Sequence, residues 1–291
     1  MLYPWRKTLQ RLTLTLTCLL LLNGCATKLA YNFLDWATLW YIESYVSLDA
    51  KQKQHAKDFL DEFHHWHRTT QLPRYALYME GLQLRLSTGT LTGQQMHDET
   101  DQLQVLLETS LNHLTPLFVT LAASFSDKQV DELLASLAKE RRKYQKQFVD
   151  VNEAKLHKAR IEELKDHLQL AISSFNAEQQ TLMQNWSHSL LPFESLTLKQ
   201  QELWATELQQ AMENRQDRAQ LDKTLRKLLF VHTDHWDEEL ERRMDVNQEI
   251  TYKVLAQLIN SLTPKQRKKM NNKILGYVAD FRELAVANAQ K

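Results

Sequence analysis

Cysteine is almost missing from this chain. Only Cys18 and Cys25 occur among its 291 residues, so no disulfide can brace anything beyond residue 25, and burial must hold the body together. Backbone breakers are equally scarce. After residue 24 only Gly81, Gly89, Gly93 and Gly276 and Pro73, Pro116, Pro192 and Pro264 remain. Four scattered glycines cannot build a phosphate cradle, and no Gly-x-Ser-x-Gly elbow or HExxH pair occurs. An excess of one charge is lacking too, because 36 basic residues face 36 acidic ones. A nucleic-acid partner would call for a basic face, and none is expected. No stretch alternates with period two for long enough to be a strand.

The start of the chain has the parts of a signal. Arg6, Lys7 and Arg11 form a positive opening with no acid beside them, and Leu12 to Leu22 is a run of Leu, Thr and Cys. That run is too short to span a bilayer, which takes ~20 apolar residues, and suits a signal core. Leu22-Asn23-Gly24-Cys25 follows and resembles the lipobox of bacterial lipoproteins. The resemblance implies cleavage after residue 24, acyl chains on Cys25, and, with Ala26 and Thr27 next, an outer-membrane address with the body in the periplasm. Several acyl chains together anchor stably where one does not. The expected division is a signal over 1–24 and a single helical domain over 25–291. That domain would carry 33 basic against 36 acidic residues, since the signal takes three bases and no acid.

Few breakers and long stripes of period 3.6 point to an all-α fold, an irregular bundle of roughly ten helices with no sheet. Residues 28–46 are the most aromatic part, with six Tyr, Phe or Trp among the fifteen residues from Tyr31 to Tyr45. Core packing is the first reading of that helix, and an interfacial helix with Trp and Tyr at headgroup level is the second.

One signal recurs six times: an apolar residue, then a small polar residue, then Gln three further on. The polar members are Asp49, Thr92, Ser126, Asn176, Thr197 and Thr263, paired with Gln52, Gln95, Gln129, Gln179, Gln200 and Gln266. This is the capping box, in which the side-chain oxygen takes the N3 N–H and the Gln reaches back to the cap N–H. Each cap contributes about 1 kcal/mol. Three copies read Leu-Thr-x-x-Gln, which resembles the motif of small periplasmic helical chaperones. The caps divide the chain into helices, and Pro73 and Thr115-Pro116 are expected to open two more.

Chemistry is sparse. His64 and His67 lie one turn apart, and His232 and His235 repeat that spacing, so two such pairs on facing helices could hold Zn²⁺ or Cu²⁺. The bland alternative is solvated histidines, with His67 at the edge of the Phe63 stripe. No catalytic constellation emerges, and a non-enzymatic protein is expected.

Tyr31-Asn32-Phe33-Leu34-Asp35-Trp36, Trp40-Tyr41-Ile42, Trp66-His67-Arg68, Leu72-Pro73-Arg74-Tyr75, Ser261 to Arg267 and Tyr277 to Arg282 together resemble an uncharacterised family of Gram-negative lipoproteins. The resemblance implies the lipoprotein address, a helical fold and one unit, and supplies no catalytic residue. Three functional expectations remain: a binding or structural module at the outer membrane with an envelope protein or lipid as partner, a chaperone or stress-response module, and a metal- or lipid-handling protein.

Overall fold

The computed structural model describes residues 28, 31–88, 90–169, 172, 174–230 and 236–286. Among them the chain is all α-helical, with no strand. In order the helices are α1 (Leu34–Glu43), α2 (Ala50–Trp66), α3 (Leu72–Thr88), α4 (Gly93–Ser124), α5 (Asp127–Tyr144), α6 (Glu153–Leu168), α7 (Ala177–Ser189), α8 (Glu194–Glu213), α9 (Arg218–Leu229), α10 (Glu238–Asn260) and α11 (Pro264–Val286). Two π-helical segments, His67–Gln71 and Gln145–Val149, follow α2 and α5.

Five of the six expected caps form. Asp49, Thr92, Ser126 and Asn176 each close a complete capping box. Thr263 does the same, its Oγ1 accepting from the Gln266 N–H at 3.2 Å while Gln266 Oε1 accepts from the Thr263 N–H at 2.8 Å. The sixth is corrected. Helix α8 starts at Glu194, with Phe193 in the cap position, so Thr197 is a buried residue inside the helix. The reason is a long-range partner. Glu194 is buried against Arg160, whose Nε donates to Glu194 Oε1 at 2.6 Å, and Glu194 Oε2 accepts from the Phe193 N–H at 3.0 Å. A carboxylate held at that place takes over the role of an N-terminal cap.

Of the two expected proline starts, the one at Thr115-Pro116 is corrected. Pro116 lies inside α4, which runs through it. Leu114, Thr115 and Leu117 around it are buried, so packing outweighs the ~3 kcal/mol that an interior proline costs. Pro73 lies in the first turn of α3, as expected, and the His67–Gln71 π turn leads into that helix directly from α2. There the Leu72 N–H bonds back to the His67 carbonyl, five residues away.

The capping glutamines also join distant helices, which their local pattern does not reveal. Gln52 Nε2 donates to Gln129 Oε1 at 3.2 Å, and Gln129 Nε2 donates to Gln52 Oε1 at 2.6 Å. Each also reaches the backbone ahead of the other's cap, Gln52 to the Ser124 carbonyl and Gln129 to the Ser47 carbonyl. Gln179 and Gln266 repeat the arrangement at 3.2 and 3.1 Å, with Ser261 and Ser174 supplying the carbonyls. Two asparagines make related clamps. Asn260 bonds both the N–H and the carbonyl of Leu91, and Asn247 does so with Leu191.

Around these joints the apolar stripes close. The largest cluster joins α2, the second half of α4, α5, α8 and α9, with Phe63, Leu117, Met212 and Leu221 at its centre. A second joins Tyr31 and Leu34 to α3 and α11. Others join α3 to α10 and α11, and α6 to α7 and α10. Gly93 sits where α4 meets α10: a Cβ there would stand 3.0 Å from Lys253 Cγ and 3.4 Å from its backbone nitrogen, so a larger residue would require Lys253 to give way slightly.

Replacing Gln52 or Gln129 by Ala leaves buried amide and carbonyl groups unsatisfied, and each is expected to cost about 1–3 kcal/mol in urea unfolding. The double variant should cost less than the two added together, with a coupling of roughly 0.5–3 kcal/mol. Additive losses would show that the two caps act independently.

Candidate functional site

Two regions stand out once the helices are packed. The first is an apolar cavity of about 210 Å³ within the largest cluster. Tyr41, Ile42, Tyr45 and Val46 close one side, from the end of α1 and the turn after it. Phe118, Leu121, Ala122 and Phe125 come from α4 and its cap; Leu133 and Leu137 from α5; Trp204, Leu208 and Met212 from α8; Leu225, Leu228 and Leu229 from α9. None of these side chains is charged. The polar tips turn elsewhere, as with Trp204, whose Nε1 donates to the Leu228 carbonyl at 3.1 Å. A space of this kind favours apolar ligands over water.

A second hollow adjoins it and shares Tyr41 and Tyr45. It is lined also by Trp40, Ser44, Ser136, Lys139 and Glu140, so it is polar where the cavity is apolar. The Tyr41 and Tyr45 hydroxyls lie 3.3 Å apart between the two spaces.

The second region surrounds the π turn. Widening the helix at His67–Gln71 places His67 and Arg68 inward, and both are buried. His67 Nδ1 and the Tyr31 hydroxyl share a hydrogen bond of 2.8 Å. Arg68 Nη2 donates to Asn32 Oδ1 at 2.8 Å, and its guanidinium lies 5.2 Å from the centre of the Tyr31 ring. The His64 ring packs on Tyr31 at 4.6 Å between centroids, and Trp66 stacks flat on His113 at 3.7 Å. Tyr75 meets the edge of His67 and bonds the Ser110 hydroxyl at 2.7 Å. Burial lowers the His67 pKa to about 3, with His64 a lesser cause, and pushes the Tyr31 phenol up. Burial likewise lowers His64, with the Arg68 charge second. The pair is thus held neutral, and one of its nitrogens is already engaged by a phenol. π turns recur at functional sites, and this one binds together the residues around Tyr31, Trp66 and Tyr75.

Of the residues expected to act, His64 and His67 do come together. Cys25, His232 and His235 lie outside the described residues, as does the 1–24 segment. Among the described residues no group of three or more His, Cys, Asp or Glu stands close enough to hold one metal ion. Likewise, no described helix is long and apolar enough to cross a membrane.

A family model matches residues 44–243, which is 200 of the 291 residues. The chain belongs to the family of unknown function DUF6279. No curated protein and no solved structure matches it. The DUF6279 region begins at Ser44, at the end of α1, and stops in the first turns of α10. It therefore contains His64, His67 and most of the cavity wall, and leaves Cys25, Trp36, Trp40 and α11 outside.

Sequence reasoning missed the cavity. Its lining reads as ordinary helix stripes, and nothing local marks a void. It also missed Tyr31 as the partner of both His67 and Arg68. The tight Trp66-His67-Arg68 cluster was the available signal, but the π turn that turns it inward depends on packing.

Because the folded pKa of His67 lies below the ~6.5 of an unfolded histidine, the unfolded chain takes up the proton first. Stability from this site is complete above about pH 6.5 and is lost as pH falls from there towards 3. Urea midpoints at pH 7.5 and pH 5 should therefore differ less in His67→Gln than in the unaltered chain. Equal differences would remove His67 from the acid sensitivity.

Proposed function

We propose that this protein is a non-enzymatic envelope module, anchored through acyl chains on Cys25 with its body in the periplasm, that holds an apolar chain such as the tail of a lipid. The observation that carries the reading is the uncharged cavity walled by the end of the aromatic helix. The helix that follows the proposed anchor thus also forms one wall of an uncharged space suited to an acyl chain. The cavity is smaller than the ~300–1,000 Å³ of most ligand sites, so it suits part of a chain rather than a whole lipid. The adjoining hollow with Ser136 and Lys139 gives a polar end to the same space.

The reading is tested by displacement of a fluorescent long-chain fatty acid. Ala122 lines the cavity, and Ala122→Phe would fill it. The variant should bind the probe at least about tenfold more weakly, a loss of ~1.4 kcal/mol, while melting no lower than the unaltered chain by more than a few degrees. Undiminished binding in a folded Ala122→Phe variant would show that the probe sits elsewhere, and no binding by the unaltered chain would end the lipid-tail reading. The anchor is checked separately, by mass spectrometry of the membrane-borne protein for acyl groups on Cys25. Their absence, or equal membrane retention of Cys25→Ser, would rule it out.

A further inference from the structure

Helix α1 keeps its largest aromatic face outside. Its buried side chains are Leu34, Ala37 and Thr38, mostly small, while Phe33, Trp36 and Trp40 are 54%, 63% and 58% exposed. Spacings of three and four put these three aromatics on one helical face. Trp36 and Trp40 stack at 6.4 Å between centroids with their planes 17° apart, so the face is a continuous plate. Core packing, the first expectation for this helix, holds for one side only. Its polar residues are used as ties to the body, Asn32 to Arg68 and Glu43 to Lys53 at 2.6 Å. Those ties keep the plate facing outward, and a contiguous exposed apolar plate marks an interaction surface.

We infer that Phe33, Trp36 and Trp40 dock α1 in the headgroup region of a phospholipid bilayer. Trp is the side chain best suited to that boundary, since its ring is apolar and its N–H still finds a partner there. The choice of a bilayer rests on the anchor reading above. Cys25 stands eight residues before Phe33, so the plate can lie no more than about 29 Å of extended chain from an acylated terminus. Continuity supports it as well. Trp40 belongs both to the plate and to the polar hollow, and the hollow shares Tyr41 and Tyr45 with the apolar cavity. A membrane seated on the plate therefore borders the hollow beside the proposed tail site. No charge lies in the plate itself, so docking is hydrophobic and aromatic and shows little dependence on salt.

The test uses the full chain bound to phosphatidylcholine vesicles whose acyl chains carry bromine close to the glycerol, at the depth of the proposed plate, where it quenches tryptophan only at short range. Quenching of the intrinsic emission is expected, unchanged in high salt, and Trp36→Phe with Trp40→Phe should abolish most of it. Both sites are exposed, so the double variant should unfold at the same urea concentration as the unaltered chain. Equal fractional quenching in the two proteins, or a vesicle-bound chain with no quenching, would overturn the proposal. So would a dimer, seen by sedimentation, that Trp36→Ser with Trp40→Ser dissociates while bromine has no effect. The readout locates two side chains whatever tethers the protein. A missing acyl group on Cys25 would sink the anchor while leaving this result to stand or fall alone.

Discussion

The fold depends on side-chain amides that serve two masters. Each capping glutamine in the Gln52–Gln129 and Gln179–Gln266 pairs accepts from its own cap N–H and donates across to the other helix start. A helix start carries orphan N–H groups, and a buried one must satisfy them locally. Here two starts meet back to back, and each supplies what the other lacks. Gln52 is tied to Gln129 across 77 residues, and Gln179 to Gln266 across 87. A body without disulfides gains long-range ties in this way, of modest strength each but costly to break, because loss of one partner strands the other in a dry place.

This also separates the recurrent Leu-Thr-x-x-Gln copies by role. Thr92 caps α4, whose neighbouring Leu91 is clamped by Asn260. Thr263 caps α11 and joins the Gln179–Gln266 pair. Thr197 caps nothing, since Arg160 and Glu194 start its helix three residues earlier. Identical local motifs thus end in three different environments, and the motif alone carries no function common to them.

The outward aromatics of α1 and the cavity behind its end belong to one arrangement. Leu34, Ala37 and Thr38 seat α1 on the body, while Phe33, Trp36 and Trp40 are left outside. At the far end Tyr41, Ile42, Tyr45 and Val46 turn inward over a space that the stripes of α4, α5, α8 and α9 do not fill. The His64–His67 cluster sits at the other end of α1, where Tyr31 and Asn32 grip the π turn. One short helix therefore links the proposed anchor, the aromatic plate, the buried histidines and the apolar cavity.

Much of the helical layout was legible from local rules. Five caps, and with Thr263 the start of α11 at Pro264, follow from hydrogen-bonding needs that neighbours in sequence satisfy. Pro116 was misread because a proline's cost is local while the packing that overrides it is not. The sequence by itself determined that the chain would be helical, where most helices begin, and that cohesion would come without crosslinks, because those depend on residues three or four apart. Only the tertiary structure decided which caps pair, which face of α1 is outside and where a void remains, because these depend on side chains brought together from far along the chain.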